Sequence, residues 1–172
     1  MQKCRKCKAK IREKDKNVNY WIKKHNPYWH RLSNEAWHAA NEIEESVTGF
    51  YLRINRNPNW KIYPSVVAAC CTKYKNNKTY IDTTHKRYAG PIDKRLKQKL
   101  CELGRIGHKP TMNPIDGNTI GHCAEQHAAN NLLKEQNNVQ LGDIFFGAAF
   151  RPRTGECKEP CENCTYVFPT LK

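Results

Sequence analysis

Gly121-His122-Cys123-Ala124-Glu125-Gln126-His127-Ala128-Ala129 and Glu159-Pro160-Cys161-Glu162-Asn163-Cys164 are the most telling stretches of this chain. Cys161 and Cys164 stand at i and i+3, so a helix opened by Pro160 projects both thiols from one face. Pro160 suits the first turn of that helix, because its missing N–H would have no partner there anyway. Cys123 falls in the first turn of another predicted helix, from about His122 to Glu135, two residues before Glu125. If the two helix N-termini converge, their dipoles favour thiolates and help retain a divalent metal whose charge with three Cys⁻ is net −1. Three protein ligands leave the fourth tetrahedral position for water, the catalytic form of a zinc site. The alternative is a structural site or plain packing, and a lone Cys-x-x-Cys would suit it. A closed site would recruit Cys157 or His122 as fourth ligand and leave Glu125 without a purpose. His127 reads as a packed neighbour of the site, not as a ligand.

Working outward, Asp143 to Phe150 is apolar enough to be a strand buried on both faces. A polar loop is expected between it and Pro160. Upstream, Arg105 to Thr119 is dense in Gly, Pro and Asn and reads as a loop. Pro91 opens a helix with Ile92, Leu96, Leu100 and Leu103 on one face, and Gly104 closes it. Ser65–Tyr74 and Thr79–Thr84 form a hairpin about Asn76-Asn77. Ser33-Asn34-Glu35 reads as a helix start, Ala36, Ala40, Ile43 and Val47 as its stripe with Trp37 beside it, and Gly49 as its stop. The order helix, hairpin, helix, helix, strand, helix predicts an α/β protein with one core and no repeats. Two regions result: a basic arm over 1–31 and a folded domain over 32–172.

The 172 residues carry a formal net charge of +14. Residues 1–31 hold eleven Lys and Arg against Glu13 and Asp15, so they account for +9 of it. Such an arm suits phosphate, through counterion release and steering; a solvated tail is the bland alternative. The arm lacks an apolar face, so a membrane surface is not the expected partner. No apolar run is long enough to span a bilayer, and the Lys-rich start lacks the h-region of a secretory signal. Nine Cys is an odd number, and Cys70-Cys71 are adjacent. Both facts fit metal ligation and a reducing compartment better than a disulfide ladder.

A Cys-x-Glu separated by 34 residues from Pro-Cys-x-x-Cys resembles the signature of the zinc-dependent cytidine deaminase superfamily. The resemblance covers roughly residues 65–168 and implies a three-layer α-β-α sandwich with a short C-terminal end, since only eight residues follow Cys164. It implies one catalytic Zn²⁺ on Cys123, Cys161 and Cys164, with Glu125 moving protons while cytosine becomes uracil. Within the superfamily the chain looks most like the bacterial toxin-type deaminases, from the run Gly-His-Cys-Ala-Glu-Gln-His-Ala-Ala-Asn-Asn, the long insertion before it and the basic charge. That likeness implies action in the cytoplasm of a target cell and an immunity protein as partner. A first ligand of Cys, where polynucleotide deaminases use His, points towards free nucleosides; +14 points to nucleic acid, DNA over RNA and single strands over double. A free cytidine or deoxycytidine deaminase, an RNA adenosine deaminase and a non-catalytic zinc-stabilised nucleic-acid-binding module are the competing readings.

Candidate substrate contacts are Ala124 beside the catalytic Glu, Arg151 and Arg153 as phosphate clamps, and Phe150 as a stacking face. Against these stand ordinary loop charges and a core Phe. Asn113, Asp116, Asn118 and Thr119 lead into the zinc helix and could read a base edge or merely turn the chain. His85, Lys86, Arg87 and Tyr88 are weaker candidates for a nucleic-acid groove. Trp21, Tyr28, Trp29, Trp37, Tyr51 and Trp60 interleave with basic residues, as single-strand binding or a core would both have it. Cys4, Cys7, His25 and His30 suggest a second, structural zinc, although a 17-residue spacer exceeds the usual finger pattern and free thiols are the alternative.

Overall fold

In the computed structural model, residues 2–3, 10–11, 27–75, 77–111 and 118–171 are described. Gln2–Lys3 (β1) pairs antiparallel with Lys10–Ile11 (β2). An apolar run without polar interruption has no solvent face, and Val67–Thr72 (β3) is buried at all six positions inside a five-stranded sheet. Its side chains alternate between two cores. Val67, Ala69 and Cys71 pack with Leu32, Ala36, Ala40 and Phe150. Cys70 packs on the other face with Leu96, Leu132, Leu133 and Phe146.

Trp29–Arg53 (α1) covers the first face. Leu32, Ala36 and Ala40 recur every four residues, and the two alanines let the helix lie close on the sheet. Lys94–Leu103 (α2), Ala124–Glu135 (α3) and Glu162–Val167 (α4) supply the second face. Tyr80–Thr83 (β4) lies at one edge of the sheet, then β3, then Ala149–Phe150 (β6) and Cys157–Lys158 (β7), while Ile144–Phe146 (β5) also pairs with β3. Every pairing is antiparallel. The chain is thus α/β, an antiparallel sheet between helical layers, with its central helix α3 buried almost all round.

Several boundaries differ from the sequence reading. Ser33 is no cap: α1 begins at Trp29, and the buried Ser33 hydroxyl accepts the Ala148 N–H at 2.8 Å. Gly49 lies inside α1, and the stop is Asn55 at φ +51°. The Asn55 N–H donates to Leu52 O and the Arg56 N–H to Tyr51 O, a Schellman pair that needs a left-handed residue. Pro91 precedes α2 without starting it; Asp93 caps it by accepting the Arg95 N–H. Gly104 does close α2.

The strand expected over 143–150 is interrupted. Cys70 lies opposite Phe146 but Val67 opposite Phe150, so one extra residue enters between β5 and β6, a bulge at Gly147-Ala148. α1 causes it: a Cβ on Gly147 would sit 2.4 Å from the Ser33 nitrogen. The bulge releases the Ala148 N–H from the ladder, and Ser33 takes it. The stretch expected as a polar loop is a hairpin, with Phe150 opposite Cys157 and a turn in which Gly155 donates to Arg151 O. Pro160 lies just before the N-cap Cys161, outside α4.

Arg95 joins α2 to α3. Its guanidinium is held by the Asp93 carboxylate and donates to the carbonyls of Leu133, Gln136, Asn137 and Val139, where α3 runs out of intrahelical donors. No helix of the described residues is long and apolar enough to cross a membrane.

Candidate metal centre and the groove beside it

Cys123 and Cys161 are both N-caps, of α3 and α4, with extended backbones and no side-chain capping bond. Their thiols are therefore left to face each other, 3.3 Å apart. Cys164, one turn into α4, completes the set, and all three sulfurs lie within 4.8 Å of one another. Thiolates at 2.3 Å on one tetrahedral zinc would stand about 3.8 Å apart, so the observed spacing brackets a shared ion. A soft S₃ donor set suits zinc and not magnesium or calcium. Among the described residues, no fourth His, Cys, Asp or Glu joins the group, His122 and Cys157 included.

The approach to Cys123 turns at Gly121, whose φ is +85°. A Cβ there would lie 2.8 Å from Ile106 Cγ2, so both conformation and space ask for glycine. Glu125 sits on the first turn of α3, 7% exposed, with Oε2 3.8 Å from Cys164 Sγ yet outside the three-sulfur group. Burial pushes its carboxyl up to about 7. Hydrogen bonds from Cys123 and then Cys164 hold the Cys161 thiol well below its usual range, and their counterparts push those two thiols up.

Gln126, Asn163 and Lys158, overlooked in the sequence, and the candidate Asn118 complete the surroundings. Gln126 is wholly buried and its Nε2 donates to Cys164 Sγ at 3.7 Å. Its position, three residues after Cys123, was the available signal. Asn163, between the two α4 cysteines, donates to Asn118 O at 3.1 Å. The exposed Asn118 in turn bonds Cys161 through its side chain, at the rim of the centre. Lys158 of β7 lies near enough to Glu125 to favour its charged form.

Other candidates fall elsewhere. Ala124 is buried against Ala68 and Ala149. Phe150 is 0% exposed in the α1-side core, so it has no face to stack on a base. Arg151 and Arg153 occupy the β6–β7 turn; Arg153 is exposed, and the buried Arg151 Nε has no hydrogen-bond partner. His127 is packed, stacked on Tyr88 at 4.2 Å and bonded to His85 O. Tyr28, Trp29 and Trp37 pack on the α1-side core. His30 lies in α1, whereas Cys4, Cys7, His25, Trp21, Asn113 and Asp116 are outside the described residues. The described cysteines form no disulfide.

Beside the centre runs a groove of about 600 Å³ lined by Lys86, Arg87, Tyr88, Arg105, Ile106 and Gly121, among others. Tyr88 and Gly121 are its wall nearest the cysteines: the Cys164 and Cys123 sulfurs add to the burial that raises the Tyr88 phenol. In comparisons with protein-family models, curated proteins and solved structures, nothing matches this chain.

Proposed function

We propose that the chain is a zinc-dependent hydrolytic deaminase of the cytidine deaminase fold that converts cytosine to uracil in nucleic acid, single-stranded DNA foremost. The observation that carries it is a buried carboxylate beside, but not in, a set of three thiols with no fourth protein donor among the described residues. Cys123, Cys161 and Cys164 would hold a zinc ion, which would supply a Lewis acid able to make water acidic. Glu125 takes both protons of the attacking water in turn, one as its oxygen adds to C4 and one as the C–N bond breaks and the carbonyl forms, and passes one to the ring nitrogen and one to the leaving ammonia. General acid–base help of this kind is worth about 10²–10⁴-fold. Gln126 steadies the Cys164 thiolate by its N–H. On the likeness to toxin-type deaminases, the reaction takes place in the cytoplasm of a target cell, and an immunity protein covers the site.

The test is ammonia release and uracil formation from a cytosine-containing oligonucleotide and from free cytidine, with zinc-loaded wild type and Glu125→Ala. Uracil in the oligonucleotide from wild type alone supports the proposal. Activity retained by Glu125→Ala, or uridine formed only from free cytidine, overturns it.

A further inference from the structure

Lys86, Arg87 and Arg105 come from two separate connections, one after β4 and one after α2, and line one groove with no carboxylate among its lining residues. None of the three cations is ion-paired to a carboxylate among the described residues, although Lys73, Lys78, Arg95 and Lys99 all are. Three exposed cations along one concavity, with no carboxylate paired to them among the described residues, make it favourable for an anion. The groove also borders the approach to the centre. Gly121, in its wall, is two residues from Cys123. The Tyr88 hydroxyl, in the same wall, is buried without a hydrogen-bond partner.

We propose that this groove holds the sugar-phosphate backbone of a single nucleic-acid strand next to the target base, with Lys86, Arg87 and Arg105 on its phosphates. This deepens the deaminase reading and rests on it. A free nucleoside has no phosphate for the three cations. About 600 Å³ is the scale of a small-ligand cleft, enough for a few backbone units of one strand. A basic groove with an aromatic wall is the arrangement that tracks a strand while a base is presented elsewhere.

The test is binding, which does not depend on turnover. In a zinc-loaded Glu125→Ala background, fluorescence anisotropy of a labelled mixed-sequence 12-nucleotide DNA strand is followed over a salt series. One variant carries Lys86→Gln, Arg87→Gln and Arg105→Gln. A control of equal charge carries Arg56→Gln, Lys61→Gln and Lys75→Gln, exposed cations outside the groove. Each phosphate contact to a single strand contributes about 0.7 to the slope of log K against log salt, so the groove variant should lose about 2. The control should keep the wild-type slope. Equal losses in both variants, or no loss in the groove variant, overturn the proposal. Binding that behaves as expected without deamination by the Glu125-containing protein would refute the deaminase reading and leave the groove assignment standing.

Discussion

Gln126 shows how much one side chain can matter at a sulfur site. It is fully buried, and its only hydrogen-bonding reach towards the centre is the N–H aimed at Cys164 Sγ. A donor to a metal-bound thiolate would tune the metal's affinity. Gln126→Leu keeps the volume, removes that donor and should weaken zinc binding by about 10–100-fold. Chelator competition measures this; unchanged affinity would make Gln126 a packing residue. Glu125 is the opposite case, outside the thiol set. Glu125→Ala should leave one zinc bound per chain and lower turnover by at least about 10². Metal analysis alongside product formation separates the two effects.

Among the elements, α1 lies close against the β5–β6 bulge, with no room for a side chain at Gly147. Gly147→Ala drives a Cβ into the backbone of Leu32 and Ser33, neither of which can rotate away. It should cost about 3 kcal/mol. Ser33→Ala orphans the buried Ala148 N–H and should cost about 1–3 kcal/mol, both read by denaturant unfolding. The α2–α3 clamp is charged instead. Arg95→Met strips the donors from four carbonyls at the end of α3 and should cost about 2–4 kcal/mol. The hydrogen bond from Arg95 holds the Asp93 carboxyl below its usual range. A lowered folded pKa gives stability that is present above the unfolded value of about 4 and lost as pH falls through the folded one. Wild type should therefore lose this contribution below about pH 4, and Arg95→Met should lack that acid dependence.

These contacts also show where sequence reading stops. Apolar spacing found α1 and α2, and an uninterrupted apolar run with its turn and returning strand found the β3–β4 hairpin, because each signal is local to its element. The spacing of Cys123, Glu125, Cys161 and Cys164 found the centre, because each cysteine is anchored to a helix start. The roles of Ser33, Gly147 and Arg95 depend on partners 115, 114 and about 40 residues distant, which no window along the chain contains. Asn55 ends α1 through backbone geometry that Gly49 could equally have supplied. Arg105 joins Lys86 and Arg87 only after α2 has folded between them.

At the scale of the molecule, apolar side chains form two cores on either side of the sheet, and Cys161 and Cys164 are two of the many members of one of them. Zinc should therefore stabilise the fold without creating it. At a free concentration one hundred times Kd, binding contributes about 2.7 kcal/mol. Chelation should then lower Tm by roughly 5–10 °C for a chain of this size and leave secondary structure in place. Circular dichroism before and after chelation checks this; unfolding on chelation would favour a zinc-stabilised binding module. The net charge of +14, with unpaired cations beside the centre, fits a polyanionic substrate at this same scale.

The most direct measurement is sequencing of a mixed pool of single-stranded DNA, double-stranded DNA and RNA after incubation with the zinc-loaded protein and with Glu125→Ala. C-to-U changes in the wild-type sample alone, concentrated in single-stranded DNA, are the predicted result. No change in any pool, with zinc bound at one equivalent, would contradict the account.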